Sequence, residues 1–381
     1  MILHFVYAGD PHDDKLIAAP NTITRVLFDF FKGKGITVRH YVPDDTTTEP
    51  DVADTDVVIG HPHPNRSTII WKLFESKCAK KYLLWPFHTQ IPQLNRYAKG
   101  LAVLADKLFL ISGPYWTDTL ARTEYTEWAS KIVRVDNAVD GLIFTPRKKR
   151  FNPPGKHGLF VFGRSGVEKG TEQLFELLKK TDYPVVVAGH YEQNDLRIIS
   201  GRPNTKILGH IDWLNEEQTK CIFEICDFAV GMPISDASPT TLLESMAVGL
   251  VPITTPQCGY YYPSFLLLSL KDMEHNLLTL KHAQSMSEEE LELLQKQNRV
   301  LIEQQHNWQR FCDTIWEHIG GNFGIRNEGR TGSKSVPQPG QRAQGHTIGR
   351  AKNLKVAEDY VNDGMKVDTH SSFGEDRKSV V

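Results

Sequence analysis

Short apolar segments alternate with amphipathic segments through the first 145 residues of the chain. Apolar runs of four to six residues, rich in Val, Ile, Leu and aromatic side chains, are typical of strands buried in a parallel sheet. Segments with helical spacing of apolar positions lie between them. The predicted strands are Ile2 to Tyr7, Thr37 to Val42, Asp56 to Gly60, Tyr82 to Trp85, Leu108 to Ser112 and Ile132 to Val135. This order predicts an α/β unit with a doubly wound sheet.

A second α/β unit follows a charged segment near the middle of the chain. Arg147-Lys148-Lys149-Arg150 and Asn152-Pro153-Pro154-Gly155 predict an exposed linker, where a hinge would let two domains close. Beyond it, apolar runs again predict buried strands. These runs are Leu159 to Phe162, Val185 to His190 and Asp227 to Met232.

The last part of the chain has a helical pattern and then loses it. After Ser287 apolar positions recur at helical spacing for about 30 residues, and Trp308, Phe311, Ile315 and Ile319 share a face. Beyond Gly321 small, polar and charged residues predict a largely disordered tail, with a short helical stretch around residues 356–361 that could dock onto a partner. We expect an amino-terminal domain (1–146), a linker (147–155), a carboxyl-terminal domain (156–305), a helix returning to the first domain (306–321) and a tail (322–381).

A glycine-rich, basic loop follows the strand predicted at Leu159 to Phe162. Its sequence from Gly163 to Gly170 is G-R-S-G-V-E-K-G. Glycines let the backbone approach a ligand, and Arg164 and Lys169 place two cations at the carboxyl end of a strand, where open α/β sheets bind ligands. The spacing matches neither a Walker loop nor G-x-G-x-x-G, which argues against ATP hydrolysis and dinucleotide binding. Taken alone, a glycine-rich turn with solvated Arg and Lys also explains the segment.

A helix start is predicted within the segment from Pro233 to Thr254. Ser238 is an N-cap candidate, and Pro239 follows it at the first helical position, where a missing N–H group costs nothing. The positions spaced to face the core are Leu243, Met246, Ala247 and Leu250.

Polar residues surround this helix start. They are Asp236, Thr240, Thr241 and Glu244. Unpaired N–H groups and the helix dipole make the helix N-terminus suited to a diphosphate. Asp236 and Glu244 could accept hydrogen bonds from sugar hydroxyls on either side of it. The alternative is an ordinary capped helix with two solvated acids.

Together, the two segments resemble the retaining glycosyltransferases of family 4, often called group 1, which have the GT-B fold. The carboxyl-terminal domain of that family carries a G-R…K-G loop followed by an E-x7-E motif. The matching residues here are Gly163-Arg164…Lys169-Gly170 and Asp236…Glu244. The resemblance is good between residues 155 and 260, and it implies two Rossmann-like doubly wound domains that face each other across a cleft.

The resemblance also implies roles for the matched residues. Arg164 and Lys169 would neutralise the nucleotide diphosphate, Asp236 would hold the transferred sugar, and Glu244 would bind the ribose hydroxyls. Further members of the nucleotide site would be Gly163, Ser238, Thr240 and Thr241. Asp236 stands where the family has Glu and reaches one methylene less far, which leaves the donor sugar open.

Histidines at the ends of two predicted strands are candidates for the amino-terminal side of the site. His88 ends the segment L-L-W-P-F-H, which is similar to the F-H-T segment in which the family places a histidine against the donor sugar. Without that match a structural histidine would be the commoner explanation. His61 and His63 could line an acceptor cleft or lie in an ordinary polar loop.

No metal or cofactor is expected. Asp54-Thr55-Asp56 has the D-x-D pattern that binds metal in the other large glycosyltransferase fold, but it directly precedes a strand and indicates a turn. The sequence contains no zinc pattern. The nucleoside diphosphate sugar would be a donor substrate.

Composition and charge narrow the expected partners and location. The formal net charge of -2 gives no electrostatic reason for nucleic-acid binding. The scattered cysteines are typical of a reducing compartment, and neither a signal peptide nor an apolar run of the roughly 18 residues that span a bilayer is found. We therefore expect a cytoplasmic protein. Peripheral membrane contact is an alternative to a solvated basic face at Lys72, Lys77, Lys80 and Lys81.

The expected activity is transfer of a sugar from a nucleoside diphosphate sugar to a hydroxyl of a glycan, lipid or other acceptor. By resemblance the reaction would retain the anomeric configuration and need no metal, because the leaving phosphate assists deprotonation of the acceptor. Two alternatives stay open. One is an enzyme of the same fold that uses phosphate or water as acceptor, and the other is a catalytically silent scaffold that binds a nucleotide sugar.

Overall fold

The computed structural model describes residues 1–13, 19–88, 99–120, 124–148, 150–212 and 215–324. Its first domain contains a six-stranded parallel sheet in the order β2-β1-β3-β4-β5-β6. The strands are β1 (Leu3–Val6), β2 (Val38–Tyr41), β3 (Val57–Gly60), β4 (Lys80–Trp85), β5 (Lys107–Ile111) and β6 (Ile132–Val135). The helices are α1 (Ala19–Gly33), α2 (Ile69–Glu75), α3 (described over 99–104), α4 (Pro114–Leu120) and a 3₁₀-helix at Glu124–Lys131. Each of the six predicted strands overlaps one of these strands.

The second domain contains another six-stranded parallel sheet, in the order β12-β11-β10-β7-β8-β9. The strands are β7 (Gly158–Arg164), β8 (Val185–His190), β9 (Thr205–Gly209), β10 (Cys226–Val230), β11 (Val251–Thr254) and β12 (Leu266–Leu267). The helices are α5 (Thr171–Lys179), α6 (Gln193–Ile199), α7 (Glu216–Ile225), α8 (Thr240–Ala247), α9 (Met273–Ser285) and α10 (Glu288–Gln304). Two Rossmann-like, doubly wound domains are therefore present, and the predicted fold class is confirmed.

The strand order of the second sheet explains why the loops after β7 and β10 lie close together. β7 is the first strand of the domain and lies between β10 and β8, so the strand order reverses between β7 and β10. In open α/β sheets, ligands bind at such a switch point, outside the carboxyl ends of the strands. The glycine-rich loop after β7 and the Asp236 loop after β10 both leave the sheet there.

The helical pattern after Ser287 forms two helices. Ser287 caps α10 in a reciprocal capping box with Glu290, and α11 (Trp308–Ile319) follows a short break. The apolar face of α11, including Phe311, Ile315 and Ile319, is buried in the core of the first domain. The chain therefore crosses back to its first domain. From residue 325 onward, the predicted tail and its helical stretch lie outside the described residues.

The prediction of an exposed linker is wrong at Lys148. Its side chain is 1% exposed, and its ammonium lies 2.7 Å from the Asp227 carboxylate and donates to the carbonyls of Phe223 and Cys226. His157 contacts the same carboxylate at 2.8 Å. Burial alone would raise the pKa of Asp227, but the hydrogen bond from His157 and the charge of Lys148 hold it below its ordinary value. A buried carboxylate on β10 requires a charged partner, and the linker supplies it.

Replacing Lys148 should strongly destabilise the second domain. Lys148→Ala leaves the Asp227 charge buried, so we expect the free energy of unfolding to fall by about 3–5 kcal/mol in urea denaturation. Lys296→Ala is the matched control, because Lys296 pairs with Glu292 at 3.6 Å on the exposed surface, and its loss should cost less than about 1 kcal/mol. Equal losses in the two variants would contradict this interpretation.

Candidate functional site

The glycine-rich loop after β7 is fixed against the loop after β10. Residues Val167–Lys169 form a 3₁₀ turn that ends at Gly170, which has a left-handed φ of 60°. A Cβ atom on Gly170 would lie 1.9 Å from the Met232 carbonyl oxygen, so only glycine fits. The carbonyl of Glu168 accepts the N–H groups of Ile234 and Ser235 at 3.0 Å each. The two predicted loops therefore form one unit.

Both cations of the glycine-rich loop are already paired with carboxylates. Lys169 binds the Asp236 carboxylate directly, and the side chains are 31% and 14% exposed. Arg164 lies 2.8 Å from Glu168, and its side chain is 62% exposed. A phosphate that binds these cations therefore has to compete with two carboxylates, and taking Lys169 would release Asp236 for a sugar hydroxyl.

The predicted cap of α8 is wrong in detail. The helix spans Thr240–Ala247, with Pro239 at the N-cap position and no side-chain cap hydrogen bond. The Ser238 hydroxyl is instead hydrogen-bonded to the Tyr260 hydroxyl. A tertiary contact therefore takes the hydroxyl that the local sequence assigned to the helix, and the first N–H groups of α8 keep no side-chain cap. The expected core positions Leu243, Met246, Ala247 and Leu250 are all buried.

A cavity of about 480 Å³ opens at the carboxyl ends of β7, β8 and β10 and at the start of α8. Its charged and polar lining residues include Arg164, Lys169, His190, His210, Asp236 and Thr241. Gly163 also lines it, whereas Ser238 does not. The imidazoles of His190 and His210 are stacked, with ring centroids 4.9 Å apart.

The polar face predicted for α8 is divided between two cavities. Thr241 faces the large cavity, but Thr240 and Glu244 line a second cavity of about 20 Å³, together with Asn137 and Trp308. Residues 240 and 244 are one turn apart and are neighbours on the helix surface. The structure therefore does not place Glu244 beside Lys169 and Asp236. Burial raises the pKa of Glu244 to about 7.

The first domain contributes side chains to the same loop. His88 Nδ1 lies 2.5 Å from the Ser235 hydroxyl, and the Trp116 indole donates to the Asp236 carbonyl at 2.6 Å. Burial lowers the pKa of His88 to about 4, so the ring is neutral at physiological pH. His88 therefore adjoins the residue before Asp236, across the cleft from β10.

The two domains also meet through their backbones. The Gly113 N–H group donates to the Ala237 carbonyl, and the Tyr115 N–H group donates to the Gly259 carbonyl, both at 3.0 Å. A Cβ atom on Gly113 would lie 2.0 Å from the Gly259 oxygen. This close approach requires glycine at position 113.

Several residues of this arrangement were not predicted. They are Trp116, Asn137, Glu168 and Ser235. One signal was available: Trp116 and Asn137 follow the carboxyl ends of β5 and β6, as His88 follows β4. Carboxyl ends of parallel strands lie at one edge of a sheet.

The remaining candidates lie in local structure. His61 packs edge-on against Tyr7, and burial lowers the pKa of His61 to about 4. His63 accepts the Asn65 N–H group through its ring. The Asp56 carboxylate accepts the N–H groups of Ile2 and Ala53, as expected of a turn that enters β3. Among the described residues, no group of three or more His, Cys, Asp or Glu side chains could hold a metal ion.

Comparison with solved structures supports the fold over most of the chain. Sucrose-phosphate synthase from Thermosynechococcus elongatus superposes with a TM-score of 0.61 at 13% identity, over 84% of this chain and 99% of that one. Anabaena Alr3699/HepE in complex with UDP and glucose gives 0.57 at 12% identity, over 84% and 100%. WaaG, a glycosyltransferase involved in lipopolysaccharide biosynthesis, gives 0.57 at 13% identity, over 84% and 100%. No curated protein matched the chain in sequence comparison.

The chain has two parallel sheets, and a cavity formed by loops lies at the switch point of the second sheet. Together with the similar solved structures, these features define the GT-B fold. Residues 144–262 match the family described as Glycosyl transferases group 1. The resemblance to group 1 glycosyltransferases is therefore confirmed over residues 144–262, and the chain has the GT-B fold. In the described part of the chain, no helix is both long and apolar enough to cross a membrane.

The raised pKa of Glu244 predicts a pH-dependent effect of Glu244→Gln. Between pH 4.5 and about 7 the folded state binds more protons at this residue than the unfolded state, so its contribution to stability falls as pH rises through that window. Glutamine cannot ionise. The melting temperature of the variant minus that of the wild type should therefore increase from pH 4.5 to 7.5 and then level off. The exposed substitution Glu292→Gln should give a flat difference, and a flat difference for Glu244→Gln would refute the assignment.

Proposed function

We propose that the protein is a retaining glycosyltransferase that moves a sugar from a nucleoside diphosphate sugar to an acceptor hydroxyl. The observation that carries this proposal is the Lys169–Asp236 pair, which lies in the 480 Å³ cavity beside the start of α8. A cation and a helix N-terminus suit a diphosphate, and a carboxylate suits a sugar hydroxyl. The group 1 family match covers both residues.

The order of the strands gives the donor a direction along the cavity. The sequence β10-β7-β8-β9 runs from the Asp236 loop to His190 and His210. Strands are spaced about 4.8 Å apart, so three spacings span about 14 Å, which is enough for a nucleoside diphosphate sugar. The sugar would lie beside Asp236 and His88, the diphosphate between Arg164, Lys169 and α8, and the base near the stacked imidazoles.

This placement accounts for the chemistry of the leaving group. Negative charge grows on the diphosphate as the glycosidic bond breaks, and Lys169, Arg164 and the N-terminus of α8 would stabilise it. His88 is neutral and serves to position the sugar. Asp236 would bind a sugar hydroxyl rather than attack the anomeric carbon. The leaving phosphate would then take the proton of the acceptor hydroxyl on the same face of the sugar, so the anomeric configuration would be retained.

We further propose that neither a metal nor a resident cofactor takes part, because Lys169 and Arg164 supply the positive charge that the diphosphate needs. Glu244 as the ligand of the ribose hydroxyls remains part of the proposal. It requires a rearrangement that opens the small cavity toward the large one, since Glu244 lies on the neighbouring face of α8.

Donor binding and turnover test the proposal. We expect one family of nucleotide sugars among UDP-, GDP-, ADP- and dTDP-sugars to raise the melting temperature without added metal, because the ligand binds only the native state. Lys169→Ala should abolish the shift and lower kcat by about 100-fold or more, as for loss of one charge-stabilising group. Lys179→Ala is the control, because it removes an exposed lysine of α5 that pairs with Glu176 at 3.8 Å.

The outcomes separate the proposed enzyme from its alternatives. A product with the anomeric configuration of the donor, identified by NMR, supports retention, and inversion would contradict it. A thermal shift without turnover on glycan and lipid acceptors would favour the silent scaffold. Turnover with phosphate or water alone would favour the phosphorolytic or hydrolytic enzyme, and the absence of any shift would overturn the site.

A further inference from the structure

A buried asparagine of the first domain holds the start of α8. Asn137 is 4% exposed and lies two residues beyond β6. Its side-chain Nδ2 donates to the Ser238 carbonyl at 3.0 Å and to the Thr240 hydroxyl at 3.3 Å. Its Oδ1 accepts the N–H group of Ala138 at 2.9 Å. One amide group therefore binds both residues that flank Pro239, the N-cap of α8.

A buried histidine holds the backbone of that asparagine. His306 Nδ1 lies 2.8 Å from the Asn137 carbonyl, and the His306 carbonyl accepts the Val139 N–H group at 3.1 Å. Because a carbonyl can only accept, Nδ1 carries the proton, and Nε2 is left to accept from the Tyr262 hydroxyl at 3.0 Å. Burial lowers the pKa of His306, which favours this neutral form.

These contacts form a closed network at the two places where the chain passes from one domain to the other. Tyr260 bonds the Ser238 hydroxyl and packs edge-on against the His306 ring, with centroids 5.2 Å apart. Asn137 precedes the segment that leaves the first domain, and His306 precedes α11, which returns to it. The network therefore fixes the diphosphate end of α8 relative to the first domain, where His88 lies.

We propose that Asn137 is a positioning residue. Together with His306, it holds the N-terminus of α8 in a fixed position relative to the first domain. The arrangement of the two domains is thereby coupled to donor binding. The inference rests on the proposed function for its catalytic consequence. Its structural consequence, an ordered α8 start that depends on the Asn137 side chain, holds without any donor.

Asn137→Asp tests the role with an isosteric side chain. The ionised carboxylate cannot donate to Ser238, whereas its protonated form can, and burial at this 4% exposed position should raise the pKa of the introduced carboxyl into the range tested. With the preferred nucleotide sugar, we expect kcat to fall at least tenfold at pH 8 with a smaller change in KM, and the ratio of variant to wild-type kcat to recover as pH falls to 5.5. A ratio that does not change with pH, or a rise in KM alone, would overturn the proposal.

A donor-free measurement keeps this inference separate from the proposed function. In hydrogen exchange without ligand, Asn137→Ala should raise the exchange rates of the amides of residues 242–245 at least tenfold. The control Asn322→Ala removes an amide that bonds Tyr82 and Ile319 of the first-domain core, and it should leave α8 unchanged. Unchanged exchange in Asn137→Ala would refute the network, whether or not the wild type turns over a donor.

Discussion

The loop between β10 and α8 is the segment on which the rest of the site depends. Buried backbone groups must find hydrogen-bond partners, and the N–H groups of residues 234–236 and the carbonyls of residues 236–238 find them outside their own loop. Glu168 and Gln257 of the second domain accept their N–H groups, while Gly113, Trp116 and Asn137 of the first domain bind their carbonyls. Asp236 is therefore placed by both domains at once, and the site is complete only when the two domains are together.

Burial distinguishes the two ion pairs that flank β10. The Lys148–Asp227 pair is 1% and 0% exposed, is surrounded by backbone carbonyls and His157, and has no access to a ligand. The Lys169–Asp236 pair is partly exposed in the large cavity. A pair of the first kind is costly to break, whereas a pair of the second kind can exchange partners with an incoming anion at small cost. The same chemistry thus anchors the linker on one side of the strand and prepares a binding site on the other.

The paired charges also help to interpret Asp236, which stands where the family has Glu. The shorter side chain pairs with Lys169 inside the cavity, and Arg164, which also lines the cavity, pairs with Glu168. A diphosphate that takes Lys169 would free the Asp236 carboxylate within the cavity. The departure from the family pattern is therefore compatible with a site in which donor binding itself exposes the acid.

The sequence alone predicted the six strands of the first sheet, β7, β8 and β10 of the second, and the loops that follow β7 and β10. It could do so because strand and helix periodicities, glycine spacing and the Asp236–Glu244 interval are local features of the chain. Which side chains meet depends on the tertiary structure. Lys148 is buried because Asp227 lies 79 residues away in sequence yet beside it in space, and Ser238 bonds Tyr260 instead of capping α8. The Asn137–His306 contact joins residues 169 positions apart, and no local pattern encodes a partner at that separation.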